Sequence, residues 1–109
     1  MVTIDVDYFR DLETPRLARL APNLVAAAFP LMKLMPARYI LDRAASDGEL
    51  KAGSHIVETT SGTFGMAVAL LAAARDYRLT LVTASTLIDA KYKARLERMG
   101  ATVIALDEP

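Results

Sequence analysis

Five consecutive residues, Ser61-Gly62-Thr63-Phe64-Gly65, combine two hydroxyls with two glycines where a strand-like run, His55-Ile56-Val57-Glu58-Thr59, gives way to an alanine-rich helical run at 66–74. A strand that feeds a glycine-bearing turn into a helix start gathers hydroxyls and the backbone N–H groups that a helix leaves without internal acceptors. Such a turn is suited to gripping an anion, either a carboxylate or a phosphate. The plainer reading of the same residues is a strand-to-helix connection whose hydroxyls only cap the helix.

Few other residues compete for chemistry. The chain has no cysteine, which excludes disulfides, cysteine-ligated zinc and thiol catalysis, and His55 is its only histidine, which argues against a histidine-rich metal site. No carboxylate pair or metal-ligand spacing stands out. Thirteen basic residues balance thirteen acidic ones, so no net field draws the protein to nucleic acid or to an anionic membrane, and neither partner is expected. Arg16, Arg19, Lys91, Lys93, Arg95 and Arg98 read as solvated charges, without an aromatic platform for stacking bases. Met32, Met35, Met66 and Met99 read as core filler, and Tyr39 and Tyr77 as covers for core edges.

These groups must be positioned by a chain of 109 residues, 53% hydrophobic and 24% charged, which is enough for one domain at most. The start, Met1-Val2-Thr3-Ile4-Asp5, lacks a basic segment followed by an apolar core and does not read as a signal peptide. The longest apolar stretches, 24–32 and 66–74, fall far short of the ~20 residues of a membrane span, so a cytoplasmic setting is expected.

Residues 1–22 form a lead-in segment interrupted by Pro15 and Pro22, with no firm element, and residues 23–109 form an α/β domain. Leu24 to Phe29 reads as a short buried strand ended by Pro30. From Pro36 to Ser46 the pattern is helical, with Ile40, Leu41, Ala44 and Ala45 on one side, and Asp47-Gly48 closes it. Beyond Gly53 the pattern predicts a strand led by Ile56-Val57, a helix over 64–75, a strand over 79–83, a helix over 87–99 stopped by Gly100, and a strand over 102–106. That alternation predicts a parallel βαβαβ three-layer unit with right-handed crossovers. Its last strand leaves a sheet edge after Leu106, as in part of a larger domain.

Over nearly the whole chain, the residues from Lys33 through Gly48-Glu49-Leu50-Lys51-Ala52-Gly53 to Glu58-Thr59-Thr60-Ser61-Gly62 resemble the N-terminal portion of the fold-type II pyridoxal-phosphate enzymes, the cysteine synthase and cystathionine β-synthase family. In that family a lysine opens a helix, a Gly-x-Leu-Lys-x-Gly turn follows, and then come a strand and a Glu-x-Thr-Ser-Gly loop. Thr14-Pro15 resembles the family's Thr-Pro-Leu opening. Lys93-Ala94-Arg95-Leu96 with Met99-Gly100-Ala101 resembles its second crossover helix.

The resemblance implies that Lys33 is the Schiff-base lysine for pyridoxal 5'-phosphate and that Thr59, Thr60, Ser61, Gly62 and Thr63 hold the substrate carboxylate. The resemblance also implies a cofactor contact for Thr63. Phe29, Pro30, Leu31, Met32, Leu34 and Met35 would give the amine the weak hydration its nucleophilicity needs. Glu58 reads as a strand-end charge. The implied reaction is β-elimination or β-replacement on a small amino acid, as in cysteine synthase. Serine, O-acetylserine and O-phosphoserine fit as substrates.

The chain departs from the pattern in three places, one of them a segment between Thr14-Pro15 and Lys33 that is shorter than in typical members. Thr63-Phe64 stands where the family has Asn-Thr, and Leu34-Met35 follows the lysine where a polar pair is usual. The family's phosphate-anchoring glycine loop and the hydroxyl that meets the pyridine nitrogen come from a later region, so a homo-oligomer or a second chain supplying that half is expected. Two other readings stay open: a non-catalytic fragment or interaction module of the same fold, and a phosphate-binding α/β domain using the Ser61-Gly62 turn.

Overall fold

The computed structural model describes residues 14–60 and 62–107. Two bodies of secondary structure follow one another. A hairpin of β1 (Arg16–Ala21) and β2 (Leu24–Ala28) comes first, turning at Pro22-Asn23. It leads into α1 (Leu34–Ser46), β3 (His55–Thr59), α2 (Thr63–Ala74), β4 (Arg78–Ala84), α3 (Ala90–Arg98) and β5 (Thr102–Leu106), with a 3-10 turn at Ser85–Leu87 before α3.

The three later strands pair in parallel in the order β3-β4-β5, which is the expected βαβαβ topology. Burial alternates along β4, with Leu79, Leu81 and Thr83 buried. Their register partners Ile56, Val103 and Ala105 turn the same way, toward α2 and α3. Helix α2 is apolar nearly all round, as suits a helix between a sheet and another helix, and α1 packs on it. Leu71, Leu81 and Leu96 are the largest fully buried side chains, so the core sits between β4 and the two crossover helices.

The opposite sheet face is not covered by any described residue. Val57 is 62% exposed, Ile104 43% and Leu106 49%, and His55 bonds Thr80 on that side through Nε2 and Oγ1 at 2.7 Å.

Several local expectations change. Residues 16–21, expected to hold no firm element, form β1, because cross-strand pairing with β2 supplies order that neither segment has alone. The 24–29 run is a strand as expected, but an exposed one, with Leu24 and Val25 half in solvent. On α1 the buried positions are Leu34, Ala37 and Leu41, with Ala44 half-buried; of the expected 40/41/44/45 face Leu41 and Ala44 turn inward, while Ile40 and Ala45 are exposed. The observed set follows the i, i+3, i+7 stripe that meets α2. Met66 and Met99 pack on the core as expected, whereas Met32 and Met35 are exposed. The 87–99 run divides into the 3-10 turn and α3, because Asp89 caps the helix by accepting the Tyr92 N–H at 2.7 Å. Gly100, at φ +98, ends α3 as expected, in the left-handed conformation that only glycine adopts cheaply.

Candidate active site at two helix starts

Lys33 and Gly62 occupy equivalent places in different helices: Lys33 is the N-cap of α1 and Gly62 the N-cap of α2. The two helices pack on each other. An Asp42–Arg75 ion pair ties the C-terminal half of α1 to the C-terminal end of α2.

The two helix starts differ in what they leave open. A lysine has no acceptor with which to cap an amide, so α1 begins through a tight turn. The Leu34 N–H donates to the Leu31 carbonyl at 3.0 Å and the Met35 N–H to the Met32 carbonyl at 3.2 Å. The third position of the helix is Pro36, which carries no N–H. Every amide of that first turn is thus accounted for. The Lys33 side chain is exposed and makes no hydrogen bond or ion pair with any described residue. Of its six apolar neighbours in sequence only Leu34 is buried, so the described residues do not enclose the amine.

Helix α2 starts open. The Gly65 N–H is met by Thr60 Oγ1 and by the Gly62 carbonyl, both at 3.1 Å. Among the described residues nothing accepts from the N–H groups of Thr63 and Phe64. Two unpaired amides at the positive end of a helix make an anion site by their orientation and by the helix dipole.

The predicted loop residues divide accordingly. Gly62 and Thr63 are exposed at the helix start, and Thr59 is exposed at the end of β3. Thr60 faces inward, its hydroxyl held by the Gly65 amide. Glu58 is half-buried. Ser61 lies outside the described residues.

The structure adds residues that pattern reading passes over. Tyr92, thirty positions along the chain, donates its hydroxyl to the Gly62 carbonyl at 3.1 Å. Burial raises the pKa of that phenol above its ordinary value, against the opposing influence of the Met66 amide and Arg95. Gly62, Thr63, Leu87, Ile88, Asp89 and Tyr92 line a shallow cavity of about 200 Å³ beside the open helix start. A larger groove of about 370 Å³ runs along α1, but Lys33 and the loop residues are not among its lining. The signal for Asp89 was present in the sequence, an aspartate just before a helical run. Tyr92 had no such signal, since its partner is set by where the packing of α3 on β5 places it.

Gly65 is fixed by contact. A Cβ at this position would lie 2.7 Å from Thr60 Cγ2, closer than packed carbons approach.

With this geometry, the family of pyridoxal-phosphate-dependent enzymes matches over residues 32–109, and the chain belongs to it. Pyridoxal phosphate is the cofactor of that family. Among solved structures, the chain is similar to O-ureido-L-serine synthase, at 29% identity and a TM-score of 0.72, covering 95% of this chain and 36% of that one. A hydrogen sulfide-producing enzyme is 28% identical with a TM-score of 0.62, over 68% of this chain and 22% of its own. Another such enzyme, from Fusobacterium nucleatum, shares the fold at a TM-score of 0.75 and 18% identity, over 97% of this chain and 38% of its own. The chain therefore covers 22–38% of the length of these proteins.

The donor set fits the ligands of that family. The amine of Lys33 is not tied up by any described acceptor, and the α2 start offers amides that a carboxylate would satisfy.

Proposed function

We propose that this chain forms the lysine-bearing and substrate-carboxylate-binding part of an enzyme that eliminates or replaces a β-substituent on a small amino acid, in the manner of cysteine synthase. The observation that carries this reading is the pairing of a free-standing lysine at one helix cap with an open, glycine-capped start on the helix packed beside it, in a chain of the pyridoxal-phosphate-dependent family.

Lys33 Nζ is the amine that would hold the cofactor, and on its release the group that would move the substrate α-proton. The cofactor, when bound, supplies an electron sink for the carbanion that proton loss creates. Thr59, Ser61, Gly62 and Thr63 hold and orient the substrate carboxylate. The Thr63 and Phe64 amides supply its hydrogen bonds, which fixes the α-carbon relative to Lys33. Thr60 acts one step behind them, through its bond to the Gly65 amide. Thr63 also offers a hydroxyl toward the cofactor ring, with a shorter reach than an asparagine at that place. The phosphate anchor is supplied by a region other than these residues, the whole enzyme acts as a homo-oligomer or with a second chain, and the setting is cytoplasmic. Serine, O-acetylserine or O-phosphoserine is the substrate.

Pyridoxal phosphate added to the purified chain should give a near-visible absorbance band. Borohydride reduction should then leave the cofactor's mass on the peptide containing Lys33. Lys33→Ala should lose both signals. A labelled peptide elsewhere, or a band that survives in Lys33→Ala, would favour the reading as a fragment or phosphate binder of the same fold.

A further inference from the structure

The carbonyl of Gly62 and the N–H of Thr63 belong to one peptide group, planar and trans, so they point in opposite directions and cannot turn independently. Whatever holds that oxygen aims that hydrogen. The Gly62 oxygen accepts from Tyr92 Oη at 3.1 Å and from the Gly65 amide at 3.1 Å, and Thr60 Oγ1 lies 3.4 Å away. The bonds from Gly65 and Thr60 are local to the turn. The Tyr92 bond is the only one of these three brought from another element.

Tyr92 is itself held. It is the third residue of α3, and its N–H is bonded at 2.7 Å to Asp89, the cap of that helix. Its ring is half-buried and packs against the core. Truncating the hydroxyl would leave the ring in place and release one side of the Gly62 peptide.

We propose that Tyr92 is a positioning residue for the carboxylate site. By holding the Gly62 carbonyl, it keeps the Thr63 N–H directed out of the helix start, so that the site is preformed before a ligand arrives. The proposal rests on the reading of that helix start as the carboxylate grip. It assigns Tyr92 a part in substrate affinity through the Thr63 amide and none in the attachment of the cofactor at Lys33, which belongs to a different helix. Preformed donors bind more tightly because the turn's ordering cost is met before binding.

The test uses the full chain and Tyr92→Phe, with Tyr39→Phe, an exposed tyrosine on α1, as control. Without ligand, Tyr92→Phe should shift the Thr63 amide resonance and speed hydrogen exchange at the Gly65 amide by about tenfold, the weight of one net hydrogen bond. With pyridoxal phosphate loaded, L-serine should bind about tenfold more weakly, while the cofactor absorbance stays as in the unmodified chain. Tyr39→Phe should change none of these. Should Tyr92→Phe not fold, Asp89→Ala, which releases the Tyr92 amide, should show the same loss.

Unchanged Thr63 shift, Gly65 exchange and L-serine affinity in Tyr92→Phe, with the unmodified chain binding normally, would overturn the role of Tyr92 alone. Failure of the unmodified chain to bind L-serine after loading would overturn the carboxylate reading and this role with it.

Discussion

At position 65 a single hydrogen atom in place of a methyl decides how the turn can close. The backbone of α2 approaches the Thr60 side chain so nearly that Gly65→Ala would set a Cβ 2.7 Å from Thr60 Cγ2 and 3.0 Å from Thr60 Oγ1. Alanine is the better helix former by about 1 kcal/mol. Overpacking against a fixed neighbour costs about 1–3 kcal/mol. Thr60 cannot swing away without breaking its bond to the Gly65 amide, so the clash should win. Gly65→Ala is expected to lower stability, by up to about 2 kcal/mol, in urea denaturation. Adding Thr60→Ser, which deletes Cγ2 and keeps Oγ1, should recover part of that loss in a double-mutant cycle. A Gly65→Ala chain more stable than the parent would refute the close approach.

The elements divide into those whose burial their own pattern announces and those whose burial depends on a neighbour. Strand β4 alternates cleanly, and Leu81 on it is fully buried. Strand β3 carries equally apolar residues, yet Val57 faces solvent, because the helices cover only one side of the sheet. Leu81→Ala should therefore cost about 2–5 kcal/mol, and Val57→Ala less than about 1 kcal/mol. Comparing their urea midpoints checks this. Equal losses would mean that something covers the open face in solution. Helix α1 teaches the same point. Its helical period is legible from Pro36 to Ser46, but the stripe that meets α2 includes Leu34 and Ala37 and leaves Ile40 exposed. A period fixes spacing along a helix, not its rotation about its own axis.

The described residues are less compact than a single domain of this size. Their radius of gyration is 15.5 Å, against about 13 Å for a compact domain of this size. The β1–β2 hairpin packs chiefly on itself and contributes nothing to the buried cluster formed by the three helices and β3-β4-β5. An isolated two-stranded hairpin has little stability of its own. Amides of Arg16–Ala21 and Leu24–Ala28 should thus exchange with deuterium through local opening, well before those of Arg78–Ala84, which should approach the global limit. Exchange mass spectrometry would show it, and equal protection in hairpin and β4 would contradict it. No helix among the described residues is long and apolar enough to cross a membrane.

Much of this protein could be read from residue order alone. Alternation of period 2 and 3.6, Pro36 at a helix start, Gly100 at a helix end and the succession of strands and helices fix the parallel unit, because those signals act over a few neighbouring residues. The glycine turn stood out by residue type and the lysine through the family resemblance, and they fall at two helix caps. Tertiary structure alone decided which amides remain open at those caps. It also decided that Thr60 turns inward, that β2 is exposed, and that a tyrosine thirty residues away holds the Gly62 carbonyl. Each of these depends on the distance between groups far apart along the chain, and that distance is set by how helices and sheet pack, not by any local preference.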